Sequence, residues 1–108
     1  MEHDSTDLTP AQALALVREG RLSIVDVRPP EERELASIAL PYAVLENGGL
    51  DELLAQPQDL PLAFLCHHGG RSAQAAGHFR ARGFTAIHNI AGGIDAWSQE
   101  VDPSVPRY

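Results

Sequence analysis

The segment Cys66-His67-His68-Gly69-Gly70-Arg71-Ser72 brings together the parts of a nucleophilic site. A thiol attacks as its thiolate, and its surroundings decide how much thiolate is present. Gly69 and Gly70 let the backbone approach whatever sits on the sulfur. Arg71 offers a permanent charge and a fork of donors that suits an oxyanion. Cys66 is the chain's one cysteine. At the end of a buried strand such a residue is ordinarily a small apolar filler. The glycines and the arginine have no part in burying a cysteine, and all serve to bind charge on it. The segment reads as a catalytic Cys66 in a substrate-binding cradle of His67, His68, Gly69, Gly70, Arg71 and Ser72.

That chemistry depends on the elements either side. The apolar run Leu62 to Leu65 predicts a strand ending at Cys66. Ser72 to Arg82 predicts a helix with Ala75, Ala76 and Phe79 on one side and Gly83 as its C-terminal cap. A loop between strand and helix can turn successive N–H groups inward, and the helix adds its positive end. Helix N-termini can lower a cysteine pKa from about 8.5 toward roughly 3.5–7.5.

The rest of the chain alternates in the same way. Thr9-Pro10-Ala11-Gln12 is a capping box with proline at the first helical position. Ala13, Leu14 and Val17 form the apolar face of that helix, and Gly20 stops it. Leu22 to Val27 predicts a buried strand ended by Pro29-Pro30, and Glu31 to Leu35 a short helix with an acidic first turn. Tyr42 to Leu45 predicts a strand, Leu50 to Ala55 a short helix, and Pro57 to Pro61 a turn. Thr85 to Ile90 predicts the last strand, followed by a short helix through Asp95-Ala96-Trp97. Val101 to Tyr108, with Pro103 and Pro106, predicts an irregular tail. The pattern is α/β, with a mainly parallel sheet of about five strands flanked by helices. Ligands in such sheets bind at the carboxyl ends of strands, where Cys66 lies.

The 108 residues make one domain, 44% hydrophobic and 21% charged, an ordinary globular composition. A formal net charge of −7 argues against nucleic acid, which needs a clustered basic surface. The eight basic residues are all arginine, scattered along the chain. No apolar run approaches the roughly 20 residues that cross a bilayer. Met1-Glu2-His3-Asp4 shows no basic or apolar leader, and a single cysteine excludes an internal disulfide. A cytoplasmic protein without membrane contact is the expectation.

Cys66-x-x-Gly69-x-Arg71-Ser72 after a buried strand resembles the active-site loop of the rhodanese family of sulfurtransferases. Ile24-Val25-Asp26-Val27-Arg28 with Glu31 and Glu32 is similar to that family's strand ending in Asp-x-Arg. Gly83-Phe84 and His88-Asn89-Ile90-Ala91-Gly92-Gly93-Ile94-Asp95-Ala96-Trp97 are similar to its C-terminal motif. The likeness spans about residues 8 to 98 and implies a three-layer rhodanese-like domain, with 99 to 108 as the tail. Where many members carry Gly-His-Ile-x-Gly-Ala, this chain has Ala36-Ser37-Ile38-Ala39-Leu40-Pro41. Cys66-His67-His68-Gly69 together with Gly92 to Tyr108 resembles rhodanese-like domains attached to some bacterial monothiol glutaredoxins.

The resemblance implies a ping-pong reaction. Cys66 takes sulfane sulfur from thiosulfate or a persulfide and releases sulfite or a thiol. Cyanide or a thiol, including a glutaredoxin or thioredoxin-type protein partner, then removes the sulfur. No cofactor is implied. A persulfide relay module serving a protein partner, with little thiosulfate activity, is the alternative. A small phosphatase or arsenate reductase is a third reading. Related and unrelated cysteine phosphatases have five residues between cysteine and arginine. This chain has four, a tighter cradle that favours sulfur over phosphorus.

His67 and His68 either supply partial positive charge near the anion or contribute only backbone N–H groups. A Cys-His-His zinc site is not expected, because adjacent side chains rarely converge on one metal. Asp26 and Arg28 read as a structural pair. Trp97, His78 and His88 read as structural residues too.

Overall fold

The computed structural model describes residues 7–108, so the leader-free reading of Met1 to Asp4 lies outside the described residues. The elements run β1 (Asp7–Leu8), α1 (Pro10–Arg18), β2 (Ser23–Asp26), α2 (Pro30–Leu35), α3 (Gly49–Leu54), β3 (Leu62–Leu65), α4 (Gly70–Ala81), β4 (Ile87–Ile90) and α5 (Gly93–Glu100). The strands form one sheet in the order β1-β4-β3-β2, and every pairing is parallel.

Alternation along each strand splits the core into two layers, because successive side chains point to opposite faces. Ile24, Ala63, Leu65 and Ile90 pack with Ala13 of α1 and Ile94 and Trp97 of α5. Val25, Leu62, Phe64 and Ile87 pack on the other face with Ala76 and Phe79 of α4. The result is a sheet between two helical layers, as expected.

The described sheet has four strands rather than about five. Tyr42 to Leu45 is not a strand. Ala43 alone bridges Val25, donating to the Ile24 carbonyl at 2.9 Å and accepting from Asp26 N–H at 2.8 Å. Val44 and Leu45 then leave β2, and α3 opens at Gly49, whose Cα lies so close to the Val44 carbonyl that a Cβ would stand 1.9 Å from it. In exchange β1 adds a short edge beside β4, with Asp7 opposite Asn89 and Leu8 opposite Ile90. α5 runs from Gly93 to Glu100, longer than the short helix read from Asp95-Ala96-Trp97. The tail has no regular structure, yet Val105 is buried in the core and the Ser98 hydroxyl donates to its carbonyl at 2.6 Å.

No described helix is long and apolar enough to cross a membrane.

Candidate active site

β3 is buried along its whole length and delivers Cys66, 1% exposed, to its carboxyl end. The chain turns over His67 and His68 and enters α4 through Gly69, whose φ of +104° is left-handed. That backbone favours glycine, and a Cβ there would also crowd the Gly92 nitrogen at 3.3 Å. At Gly70 a Cβ would meet nothing within 4 Å, and no steric demand for glycine exists there.

The sulfur sits among donors. Gly69 N–H donates to Cys66 Sγ at 3.1 Å, and the Ser72 hydroxyl lies 3.2 Å from it. Burial pushes the Cys66 thiol up, but the Ser72 hydroxyl and the N–H groups of Ser72, Gly69 and Arg71 outweigh it and hold the thiol below its ordinary pKa. The Ser72 hydroxyl is fully buried and has one proton for three acceptors: Cys66 Sγ, the Gly69 carbonyl at 3.2 Å and Asn89 Oδ1 on β4.

The loop is clamped from behind by the first turn of α5. Ile94 N–H donates to the Cys66 carbonyl at 2.7 Å and Asp95 N–H to the His67 carbonyl at 3.1 Å. With trans peptides, carbonyls turned toward α5 leave the N–H groups of His67 and His68 facing away from it. Gly93, at φ +63°, makes this approach feasible, since a Cβ would lie 2.4 Å from the Cys66 carbonyl oxygen and 2.5 Å from that of His67.

Arg71 is placed beside the loop, and the end of its guanidinium is already taken. Its two terminal nitrogens donate to Glu32 Oε2 at 3.0 Å and Oε1 at 2.9 Å. Arg71 holds the Glu32 carboxyl down at about 2 against the opposing effect of burial, with help from the Tyr108 hydroxyl. Asp26 and Arg28 are the structural pair expected, both buried, 2.7 Å apart. Arg28 reaches further, donating to the Glu32 carbonyl at 3.2 Å and the Tyr108 phenol oxygen at 3.0 Å. Tyr108 in turn donates to Glu32 Oε1 at 2.6 Å.

His67 and His68 are stacked with ring centroids 3.9 Å apart, and Tyr108 stacks on His67 at 3.9 Å and 10°. Two rings this close must lie on opposite faces of His67. His67 Nε2 is buried without a hydrogen-bond partner. One ligand atom each from His67, His68 and Asp95 lies within 4.8 Å of the others. Parallel imidazoles direct their in-plane lone pairs along stacked planes rather than onto one ion, and Asp95 is held by Arg107 at 3.0 Å.

Sequence reading therefore found the loop and missed Glu32 as a partner of Arg71, Asn89 behind Ser72, Gly93 behind the loop and Tyr108 over His67. Glu32, Asn89 and Gly93 fell inside motifs it quoted, without a role. Tyr108 lies in the tail segment that shares a resemblance with the loop, but nothing there marks its ring as a partner of His67.

Residues 9–100 match the family described as Rhodanese-like domain. Thiosulfate sulfurtransferase GlpE of Pseudomonas paraeruginosa is 32% identical over 90 residues, covering 83% of this chain and 81% of that protein. The Arabidopsis thaliana Rhodanese-like/PpiC domain-containing protein 12, chloroplastic, is 37% identical over 89 residues. The match covers 79% of this chain but only 30% of that longer protein. Among solved structures, a Rhodopseudomonas palustris protein described as of unknown function and a possible tyrosine phosphatase is 30% identical, with a TM-score of 0.69. That match covers 98% of this chain and 87% of the other.

Proposed function

This chain belongs to the rhodanese-like domain family, and on that premise we propose that it is a sulfurtransferase carrying sulfane sulfur as a persulfide on Cys66. One observation carries the reading: the chain's sole thiol points into N–H and hydroxyl donors, Gly69 at 3.1 Å and Ser72 at 3.2 Å, that favour its thiolate form. The Cys66 thiolate attacks the outer sulfur of the donor. With thiosulfate, the S–S bond to the sulfonate breaks and sulfite leaves with the electron pair. With a persulfide R–S–SH, the thiolate R–S⁻ leaves. A thiol or cyanide then attacks the outer sulfur of the Cys66 persulfide and restores the thiolate. The loop N–H groups hold the anion in both halves, an electrostatic role built in before the substrate arrives.

The likeness to a possible tyrosine phosphatase keeps phosphoryl transfer in view. The four residues between Cys66 and Arg71 make a tighter loop that favours sulfur over a phosphoryl group. Intact mass after incubation with thiosulfate tests the proposal. The chain should gain about 32 Da, one sulfur atom on a thiolate nucleophile, and lose it on adding cyanide. Cys66→Ser should abolish both adduct and turnover. Undiminished turnover in that variant, or faster hydrolysis of an aryl phosphate than persulfide formation, would overturn the reading.

A further inference from the structure

We propose that Glu32 determines the donor: by occupying the end of the Arg71 guanidinium it turns the Cys66 loop from dianionic thiosulfate toward hydropersulfides, which react as the protonated form R–S–SH. The proposal rests on the sulfurtransferase reading and adds a donor class and a residue that selects it.

The charges at the mouth are matched one for one among the described residues. Arg71 is bidentate on Glu32, Arg28 is buried against Asp26, and Arg107 sits on Asp95. Glu32 is well placed to keep its hold, because Tyr108 donates to the same carboxylate at 2.6 Å and the group stays ionised above about pH 2. Glu32 takes one N–H on each terminal nitrogen of Arg71, the end-on pair that would face an oxyanion, and its carboxylate cancels the charge that such an anion needs. The remaining body is acidic, with a formal net charge of −7, and adds no attraction at longer range.

The two donors differ in how much cation they need. In Cys66–S⁻ + SSO₃²⁻ → Cys66–S–S⁻ + SO₃²⁻, three negative charges share the transition state. In Cys66–S⁻ + R–S–SH → Cys66–S–SH + R–S⁻, there is one, spread over the sulfurs, and the loop N–H groups meet that need. Charge left uncompensated near a poorly hydrated sulfur costs far more than in water, so the paired Arg71 penalises the first reaction selectively.

The test is the rate of the 32 Da adduct on the full chain, by quenched intact mass, with thiosulfate and with cysteine hydropersulfide as probes. The wild type should prefer the hydropersulfide by at least about tenfold, or about 1.4 kcal/mol. Glu32→Gln should shift the ratio of the two rate constants about tenfold toward thiosulfate. Glu32→Asp, which keeps the charge, should leave the ratio near that of the wild type. An unchanged ratio in Glu32→Gln, including one where both rates fall together, would reduce Glu32 to a brace for Arg71 and overturn the proposal. So would a wild type that prefers thiosulfate, a result that needs no variant to fold. An adduct from neither probe would instead overturn the sulfurtransferase reading itself.

Discussion

Ser72 has one proton to give and three acceptors around it, and where that proton goes sets the state of the sulfur. Directed at Cys66 Sγ, it stabilises the thiolate. Directed at Asn89 Oδ1 or the Gly69 carbonyl, it leaves the work to the backbone N–H groups. The thiol is held below its ordinary pKa, so its thiolate fraction falls as pH drops through that depressed value. Alkylation by iodoacetamide, followed against pH, should therefore show its midpoint below the ordinary thiol value of about 8.5. Ser72→Ala removes the largest of the lowering contacts and should move the midpoint up toward the ordinary thiol value. A midpoint that stays in place would mean that the serine proton goes to Asn89 or the Gly69 carbonyl and not to the sulfur.

Between elements, the decisive contact is α5 against the back of the loop. Gly93→Ala would press a Cβ onto two carbonyl oxygens, at 2.4 and 2.5 Å, in a left-handed backbone. It should cost about 1–3 kcal/mol, read as a lower urea midpoint at unchanged slope, and should slow Cys66 alkylation as the loop shifts. Gly20→Ala is the comparison, since Gly20 has φ +73° with nothing within 4 Å and carries the strain alone. Equal losses in the two variants would show that the clamp has no grip on the loop. Elements with a local signature were legible in the sequence. The capping box at Thr9 and Gln12 forms as written, β3 ends at Leu65 and delivers Cys66, and α4 follows within two residues of its expected start. Tyr42 to Leu45 misled because its apolar run pairs with β2 only through a single bridge at Ala43, and β1 was silent because two residues carry no period. Such an edge exists only through β4.

Across the whole molecule, the contacts that complete the site join residues far apart in the chain. Arg71 meets Glu32 across 39 positions, Tyr108 meets Glu32 across 76 and Arg28 across 80. Periodicity and turn chemistry carry no trace of such pairs, so the cradle was readable and its charge balance was not. The tail is the clearest case. Its two prolines rightly predicted irregular backbone, yet Val105 seats it in the core and Arg107 ties it to Asp95. Tyr108 is thereby carried back over the loop.

That placement gives the loop a magnetic signature. An imidazole enclosed by two π faces, Tyr108 on one side and His68 on the other, both at 3.9 Å, lies in the shielding cones of both rings. The ring protons of His67 should resonate at higher field in the wild type than in Tyr108→Ala, where one face is stripped. Because His67 adjoins the nucleophile, the same resonance should move when sulfur is loaded onto Cys66, giving a proton spectrum in which each half of the catalytic cycle has its own line. A His67 signal indifferent to Tyr108→Ala would show that the tail stands clear of the loop in solution.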